Sequence, residues 1–426
     1  MNCYPAECHP AGHSQPGDES ILGAEDKYVK AAVSIVRCED YTPSKVLKAV
    51  LEAVNLLGGI GQFVRPGQKV LLKPNLLSPR PPESAVTTHP AVVEAVIGLA
   101  NSAGGSCFLG DSPSIGGDTP ENYERLLRTT GMSHALDRAG AQAVRFDDSG
   151  TEQEVAHARV CRRLLVADAV READVLINLP KFKTHELTLM TGAVKNLFGC
   201  IPGRRKVEFH LKAGDNPEMF AQILVDTLKA VRPGLSILDA IVGMDGQGPS
   251  AGRRRNFGLI MASTDPVALD AVVCMVAGIE PMKIPTLRLA SKQGLGTVDP
   301  AEIEVVGLQP EEVLIPDFLL PPRGDIVSRL PKPLYRMLRN HLVKRPTFLR
   351  DRCSACGACV DICPVQAISG EGNRLRVDYS VCIRCYCCQE VCPEEAIALR
   401  MSRLRGAFDA ALTTRRRIRR ILRRQS

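Results

Sequence analysis

Two cysteine runs of matching spacing constrain this chain more than any other feature in it. Cys353-x2-Cys356-x2-Cys359-x3-Cys363-Pro364 returns 29 residues later as Cys382-x2-Cys385-x2-Cys388-x3-Cys392-Pro393. The match continues past the cysteines, as CPVQAI and CPEEAI, so the unit is a duplication. Nine of the sixteen cysteines fall between Cys353 and Cys392. Paired C-x-x-C units also bind zinc, but zinc takes four ligands per site and requires neither the third cysteine nor the Cys-Pro that each half repeats. Met1 to Asp26 is polar and lacks the apolar stretch of a secretion signal. The cysteines therefore read as thiols of a reducing compartment, and the expected address is cytoplasmic.

The net charge of +7 describes no single part of the 426 residues. Residues 400–426 carry +9 and residues 321–350 carry +7, whereas 351–399 carry −3 and 1–320 carry −6. This is an acidic body with two basic segments flanking the cysteine-rich stretch, not the uniformly basic surface of a nucleic-acid binder. Tryptophan is absent and aromatics make up 4%, which argues against a stacking platform for single strands. No nucleic-acid partner is expected. No run of about 18 apolar residues occurs, so no spanning helix is expected.

From Ala31 onward, short apolar runs alternate with segments of helical spacing. AAVSIVRC, KVLLKPNLL, SCFLGDS, DVLINLP, LSILDAIVG and FGLIMAS read as strands; Ser44–Leu57, Pro90–Ala103, Glu218–Val231 and Pro266–Ala277 read as helices. Strands apolar throughout, separated by helices, predict a mainly parallel sheet covered on both faces, an α/β body. Thr264 or Asp265 is the expected N-cap of the last helix, with Pro266 at its first position. The expected layout is a flexible tail at 1–28, the α/β body at 29–315, and a strandless basic linker at 316–350. A small α+β cysteine module follows at 351–400, then an Arg-rich helical tail at 401–426. The linker holds one amphipathic stripe, Leu334, Met337, Leu338, His341 and Leu342.

The cysteine module resembles the bacterial two-cluster ferredoxins, in which three thiolates wrap one cluster and the fourth, before proline, reaches the other. The resemblance implies two [4Fe–4S] clusters. Cys353, Cys356, Cys359 and Cys392 would hold one, and Cys382, Cys385, Cys388 and Cys363 the second. Cys387 reads as a packed bystander. The body, from about Val33 to Val313, resembles the domain-of-unknown-function family 362. The likeness rests on Lys73-Pro74-Asn75, Gly110-Asp111-Ser112, Leu179-Pro180-Lys181 through His185, Gly192 with Lys195–Gly199, and Thr264–Asp270. That family frequently carries the same module at its C-terminal end and implies no particular reaction.

Most of these blocks follow a strand, where open α/β sheets place their ligands. Lys181, Lys183, His185 and Lys195 are the catalytic candidates, with His185 the expected proton carrier because its ordinary pKa lies near neutrality. Lys73, Asn75, Asp111 and Asn196 are the expected substrate-binding residues. The mixture of cations and neutral hydrogen-bonding groups suits a phosphate or carboxylate. Asp111, Asp239 and Asp265 could position a divalent ion or act as acid and base. Taken singly, a lysine after a strand is usually a solvated charge. The glycine patterns lack dinucleotide or Walker spacing. Cys200 reads as a buried small residue, and Cys3, Cys8, His9 and His13 as tail residues. The expected function is an iron–sulfur oxidoreductase that passes electrons to an anionic small molecule. The alternative is a non-enzymatic carrier or assembly protein whose body docks a redox partner protein. The basic flanks suggest peripheral contact with an anionic membrane, on its inner face.

Overall fold

Strands that are apolar on both sides need cover on both sides, and a single sheet supplies the frame for it. The computed structural model describes residues 30–114, 117, 119–203, 205–321, 340–341 and 343–402. The expected tail with Cys3, Cys8, His9 and His13, most of the stripe from Leu334 to Leu342, and the Arg-rich helix lie outside the described residues.

The strands begin with β1 (Ala31–Arg37), β2 (Lys69–Pro74), β3 (Ser106–Asp111) and β4 (Gln142–Arg145). A separate hairpin, β5 (Gly150–Glu154) and β6 (Arg163–Ala167), precedes β7 (Val175–Leu179), β8 (Lys181–His185) and β9 (Leu189–Thr191). The long β10 (Leu235–Asp245) and β11 (Arg253–Ser263) and the edge strand β12 (Ile303–Gly307) complete the sheet. Its order is β12-β1-β11-β10-β7-β2-β3-β4, with β8 and β9 continuing beside β10. Pairing is mainly parallel, as expected. The exception in the main path is β11, antiparallel to both of its neighbours.

Helices α1 (Pro43–Asn55), α2 (Pro90–Ser102), α3 (Pro120–Thr129), α4 (Met132–Ala139) and α5 (Asp168–Glu172) come from the first half. From the second come α6 (Ala193–Asn196), α7 (Arg205–Ala213), α8 (Pro217–Ala230), α9 (Pro266–Val276) and α10 (Pro285–Ser291). Alternation along each strand divides the apolar residues between two cores. Val70 and Leu72 of β2, Ile177 of β7 and Ile260 of β11 pack with Val46 and Val50 of α1 and Val92 and Val96 of α2. Their strand neighbours Leu71, Leu176, Leu259 and Met261 pack with Phe220 and Leu224 of α8 and Val267 and Val272 of α9. This is why the strands read as continuous apolar runs.

Asp265, rather than Thr264, caps α9: its Oδ1 accepts from Val267 N at 2.7 Å and Ala268 N at 3.0 Å. One expected boundary is corrected. The linker is not strandless to residue 350, because β13 (Arg345–Phe348) belongs to the cysteine module. There the short β14 (Ile368–Ser369) and β15 (Arg376–Val377) pair with each other, and β16 (Ile397–Arg400) pairs antiparallel with β13. Pro346 disguised this strand in the sequence, yet proline is tolerated where a strand has a free edge. Body and module fall in one compact unit, and Tyr386 and Leu399 of the module join the body's own core. No helix among the described residues is long and apolar enough to cross a membrane.

The cap of α2 makes the fold acid-sensitive. His89 Nδ1 accepts from Ala91 N at 3.2 Å, its backbone N–H donates to Asp239 Oδ2 at 2.9 Å, and its ring stacks on Tyr41 at 3.6 Å. Burial, opposed by Asp239 and aided by Lys181, pushes the imidazole down to about 4. The unfolded residue titrates near 6.5, so between those values the unfolded chain binds a proton that the native state lacks. Stability therefore falls as pH drops through that window, at up to about 1.4 kcal/mol per pH unit for one proton. His89→Asn keeps a cap acceptor without titrating. Urea midpoints between about pH 7 and about pH 5 should flatten in this variant relative to the parent; an unchanged slope would remove His89 from the account.

Candidate functional site

The parallel strands β2 and β3 end side by side, and their carboxyl ends open on one crevice. Lys73 near the end of β2 reaches Asp111 at the end of β3, Nζ to Oδ1 at 2.7 Å, in an almost wholly buried pair. The ammonium also donates to Pro74 O at 2.7 Å and to Asn196 Oδ1 at 3.4 Å, while Leu76 N donates to Asp111 Oδ2 at 2.7 Å. Gly199 lies flat against the pair. A Cβ there would fall 2.0 Å from Asp111 Oδ1 and 2.6 Å from Lys73 Nζ, so only glycine fits.

A second buried pair comes from strand register. β8 sets Lys181 opposite Asp239 of β10, and Lys181 Nζ lies 2.8 Å from Asp239 Oδ2. Tyr41 OH donates to Asp239 Oδ1 at 2.9 Å and lies 2.6 Å from Lys181 Nζ. Asn196, at the end of α6, is held by its own amide, which donates to Lys73 O at 3.2 Å and Asn178 Oδ1 at 2.8 Å. Asp270 accepts from Ala193 N at 2.6 Å and Val194 N at 3.1 Å, so the start of α6 is already capped by protein.

These elements enclose a cleft of about 470 Å³. Of the expected residues, Lys73, Asn75, Asp111, Lys181, Lys195 and Asn196 line it, and Lys183 and His185 do not. The reason is geometric. Lys181, Lys183 and His185 share one face of β8, but a strand rises about 3.3 Å per residue, which carries the later two away from the cleft. Lys183 Nζ donates instead to Asn75 Oδ1 at 3.0 Å and Val86 O at 2.6 Å. Burial, with the Lys195 cation close by, holds this amine well below the usual lysine range. Both of its acceptors are neutral.

His185 is corrected as the proton carrier of the cleft. Its Nδ1 accepts from Leu187 N at 3.1 Å and Thr188 N at 3.3 Å, which leaves the proton on Nε2, 3.0 Å from Glu390 Oε1 of the cysteine module. Burial, with Lys195 adding to it, pushes the imidazole down to about 4. Burial alone would raise Glu390, but His185, Lys195 and His210 bring its carboxyl down to about 2. His185 thus meets the module, not the cleft.

The lysines are not solvated charges. Lys73, Lys181 and Lys183 are each 2% exposed or less. Lys195 is half-buried, and among the described residues its Nζ has no hydrogen-bond or ion-pair partner. Burial lowers it from the usual range, opposed by Glu390 and aided by Lys73. Sequence reasoning missed Lys206, on α7, because no motif surrounds it. Its Nζ donates to Ser112 O at 2.6 Å, to Ser112 Oγ and to Ile201 O at 3.2 Å, and burial brings it down to about 8 against Asp147 and Asp111. Tyr41 and Glu390 were likewise invisible, since each acts through a partner far away in the chain. The divalent ion expected in the α/β body finds no support: among the described residues of the body no three His, Cys, Asp or Glu side chains gather to hold one. Asp111 and Asp239 are spent on lysines and Asp265 on its helix. Cys200 is buried and pushed up to about 12 by that burial.

The cysteine module contains two cavities. Cys353, Cys356, Cys359 and Cys392 line one of about 320 Å³. Cys382, Cys385, Cys388 and Cys363 line the other, of about 350 Å³, together with Cys387. Backbone pseudo-symmetry follows the repeat: Ala355 and Arg384 (φ 58° and 61°), Gly357 and Tyr386 (79° and 64°), and Gln366 and Glu395 (50° and 50°) all adopt left-handed conformations. Each pair is 29 residues apart. Ala367 N donates to Cys363 Sγ and Ala396 N to Cys392 Sγ, both at 3.2 Å, a bond that favours thiolate.

The Lys73–Asp111 pair can be tested directly. Asp111→Asn leaves a buried ammonium without its counter-charge and should cost about 3–5 kcal/mol in urea unfolding. The double change Lys73→Met with Asp111→Leu should recover most of that. Additive losses would show that the pair is not what the crevice rests on.

Comparison with known proteins places these features. The model of the Domain of unknown function (DUF362) matches residues 70–275, and that of the 4Fe-4S dicluster domain matches residues 345–393. The thylakoid-associated protein sll1697 of Synechocystis sp. is 37% identical over 313 residues, covering 72% of this chain and 92% of that protein. The ferredoxin of Butyribacterium methylotrophicum is 50% identical over 34 residues, covering 8% of this chain and 60% of that one. The lactate racemase apoprotein from Thermoanaerobacterium thermosaccharolyticum aligns over 60% of this chain and 59% of its own, at 12% identity and a TM-score of 0.36. With its crevice built from the motif blocks and its iron–sulfur cluster-binding domain at 345–393, the chain belongs to the DUF362 family.

Proposed function

We propose that this protein is an iron–sulfur oxidoreductase in which the lysine-lined cleft holds a small anion beside a docked ferredoxin-type module. The donor sets suit two [4Fe–4S] clusters. Cys353, Cys356, Cys359 and Cys392 would hold one and Cys382, Cys385, Cys388 and Cys363 the other, in the crossed arrangement of a duplicated fold. Bound there, such clusters supply one-electron transfer.

The observation that carries the reading is Lys195. It lines the cleft, and its charge is within electrostatic reach of Glu390 and Cys387 of the module as well as of Lys73 and Asp111. Cleft and second cysteine cavity are therefore electrostatic neighbours. The inventory of free donors describes the ligand. Lys73 and Lys206 are saturated by protein acceptors, whereas Lys195 keeps all its N–H groups. Asn75 has its Oδ1 occupied by Lys183, which leaves its amide N–H groups to face a guest. Such a wall binds and orients an acceptor-rich anion, a phosphate or carboxylate. An anion that gains electrons also needs protons. Lys206 lines the same cleft and burial brings it to about 8, so it can release, near neutral pH, one of the three protons it shares with Ser112 and Ile201.

The test is anaerobic. After reduction, the visible absorbance of the iron–sulfur centres should recover when a small anionic acceptor is added. Lys195→Ala should weaken binding of that acceptor at least tenfold, about 1.4 kcal/mol. If no phosphate or carboxylate in a panel reoxidises the protein while a redox protein does, the chain is a carrier with a docking surface instead.

We also propose peripheral contact of the basic flanks, 316–350 and 401–426, with anionic membranes. It is supported by the charge runs and by the description of the cyanobacterial relative as thylakoid-associated. Vesicles rich in anionic lipid should pellet the full chain and fail to pellet one ending at residue 400; equal pelleting would remove the idea.

A further inference from the structure

The repeat that builds the two cysteine cavities is broken at one charged position. Ala355 in the first half corresponds to Arg384 in the second, 29 residues on, with nearly the same backbone conformation. Arg384 lines the second cavity. Its side chain is 1% exposed, and among the described residues its buried Nε and Nη1 have no hydrogen-bond partner. Nη2 donates to Asn340 Oδ1 at 2.6 Å, and the guanidinium lies 4.9 Å from the centre of the Tyr379 ring. Among the described residues no carboxylate pairs with it. A buried guanidinium with idle donors calls for negative charge nearby, and the cysteines of the second cavity are the groups at hand to supply it as thiolates.

The surroundings of the two halves differ in the same sense. Residues 354–356 and 360–361 are exposed, and Glu394 stands among the residues lining the first cavity. Residues 384–392 are buried throughout, because this stretch docks on the body. Gln389 O accepts from Ser250 Oγ at 3.3 Å, Gln389 Nε2 donates to Gln247 O at 3.4 Å, and Glu390 is engaged by His185. A charge in the dry second site acts with less screening than one beside the wet first site.

We propose that Arg384 makes the second cysteine site the stronger electron acceptor of the pair. The proposal rests on the iron–sulfur reading of the cysteines but not on the cleft. Each added electron makes a cluster more negative, and a buried cation with free N–H donors favours that state. The first site is more exposed and bordered by Glu394, and the guanidinium beside it, Arg80, which donates to Cys392 O, is already answered by the Glu395 carboxylate at 3.1 Å. With clusters bound, one electron supplied by an external one-electron reductant would then reside at the site facing the body, leaving the first site oxidised and the second reduced.

The test is a potentiometric titration of the anaerobically purified protein, followed by electron paramagnetic resonance. Arg384→Ala should lower one of the two midpoint potentials and leave the other in place. The expected shift is at least tenfold in that site's oxidised-to-reduced ratio, 59 mV for one electron. Arg384→Lys should retain most of the parent value, and Ala355→Arg should raise the other potential. If Arg384→Ala fails to retain its full iron and sulfide, the Lys and Ala355→Arg variants decide. Potentials unmoved in the variants that hold both clusters would overturn the proposal. A parent protein with iron for fewer than two clusters would instead overturn the cofactor reading beneath it.

Discussion

A lysine can be buried only where something answers its charge, and this body buries several at the carboxyl ends of its strands. Lys73 is answered by Asp111, and Lys181 by Asp239. Lys183 finds only neutral oxygens, and its burial beside the Lys195 cation holds it well below the usual lysine range. The carboxylates are placed by the sheet itself: Asp111 by the end of β3, Asp239 by its register opposite Lys181. The glycines answer to the same pairs. Gly199 leaves room for Lys73 and Asp111, and Gly192 for Asp270, whose carboxylate a Cβ would approach at 2.0 Å. Motif blocks scattered over some two hundred positions are thus one electrostatic construction seen in pieces.

That construction explains what could and could not be read from the sequence. The six central strands and the four longest helices of the body were legible because two cores demand apolar residues on both faces of the inner strands and an apolar stripe on each helix. The polar or short strands β4, β5, β6, β8, β9 and β12 carry no such run. The crevice was legible as a set of charged residues following strands. Its division of labour was not. Whether a lysine is paired or free depends on residues such as Asp239, which lies 58 positions from Lys181. His185 shares its strand face with Lys181, so nothing local distinguishes it, and only the docking of Glu390 reveals its role. Lys206 stands in a helix with no recognisable block around it. The strand at Arg345–Phe348 was hidden by a proline that an edge position tolerates.

Duplication gave the cysteine module two matching halves, and docking has made them unequal. The second half presses the segment from Arg384 to Cys392 against the body, so its polar groups must find partners there or inside the module. Most do. Glu390 meets His185, Lys344 meets Glu186 at 2.8 Å, and Arg80 reaches Cys392 O and Glu395, the latter at 3.1 Å. These contacts are directional, and each is useful in one orientation only.

An interface inside a chain is ordinarily loose enough for its domains to move. Here two features work against that. Tyr386 and Leu399 of the module belong to the same apolar core as Phe220 and Val267 of the body, so separation would expose a continuous core to water. The buried ion pairs would also be stranded, and a stranded buried charge costs more than the pair contributes. Such anchoring keeps the second cavity in a constant relation to Lys195 and the crevice behind it.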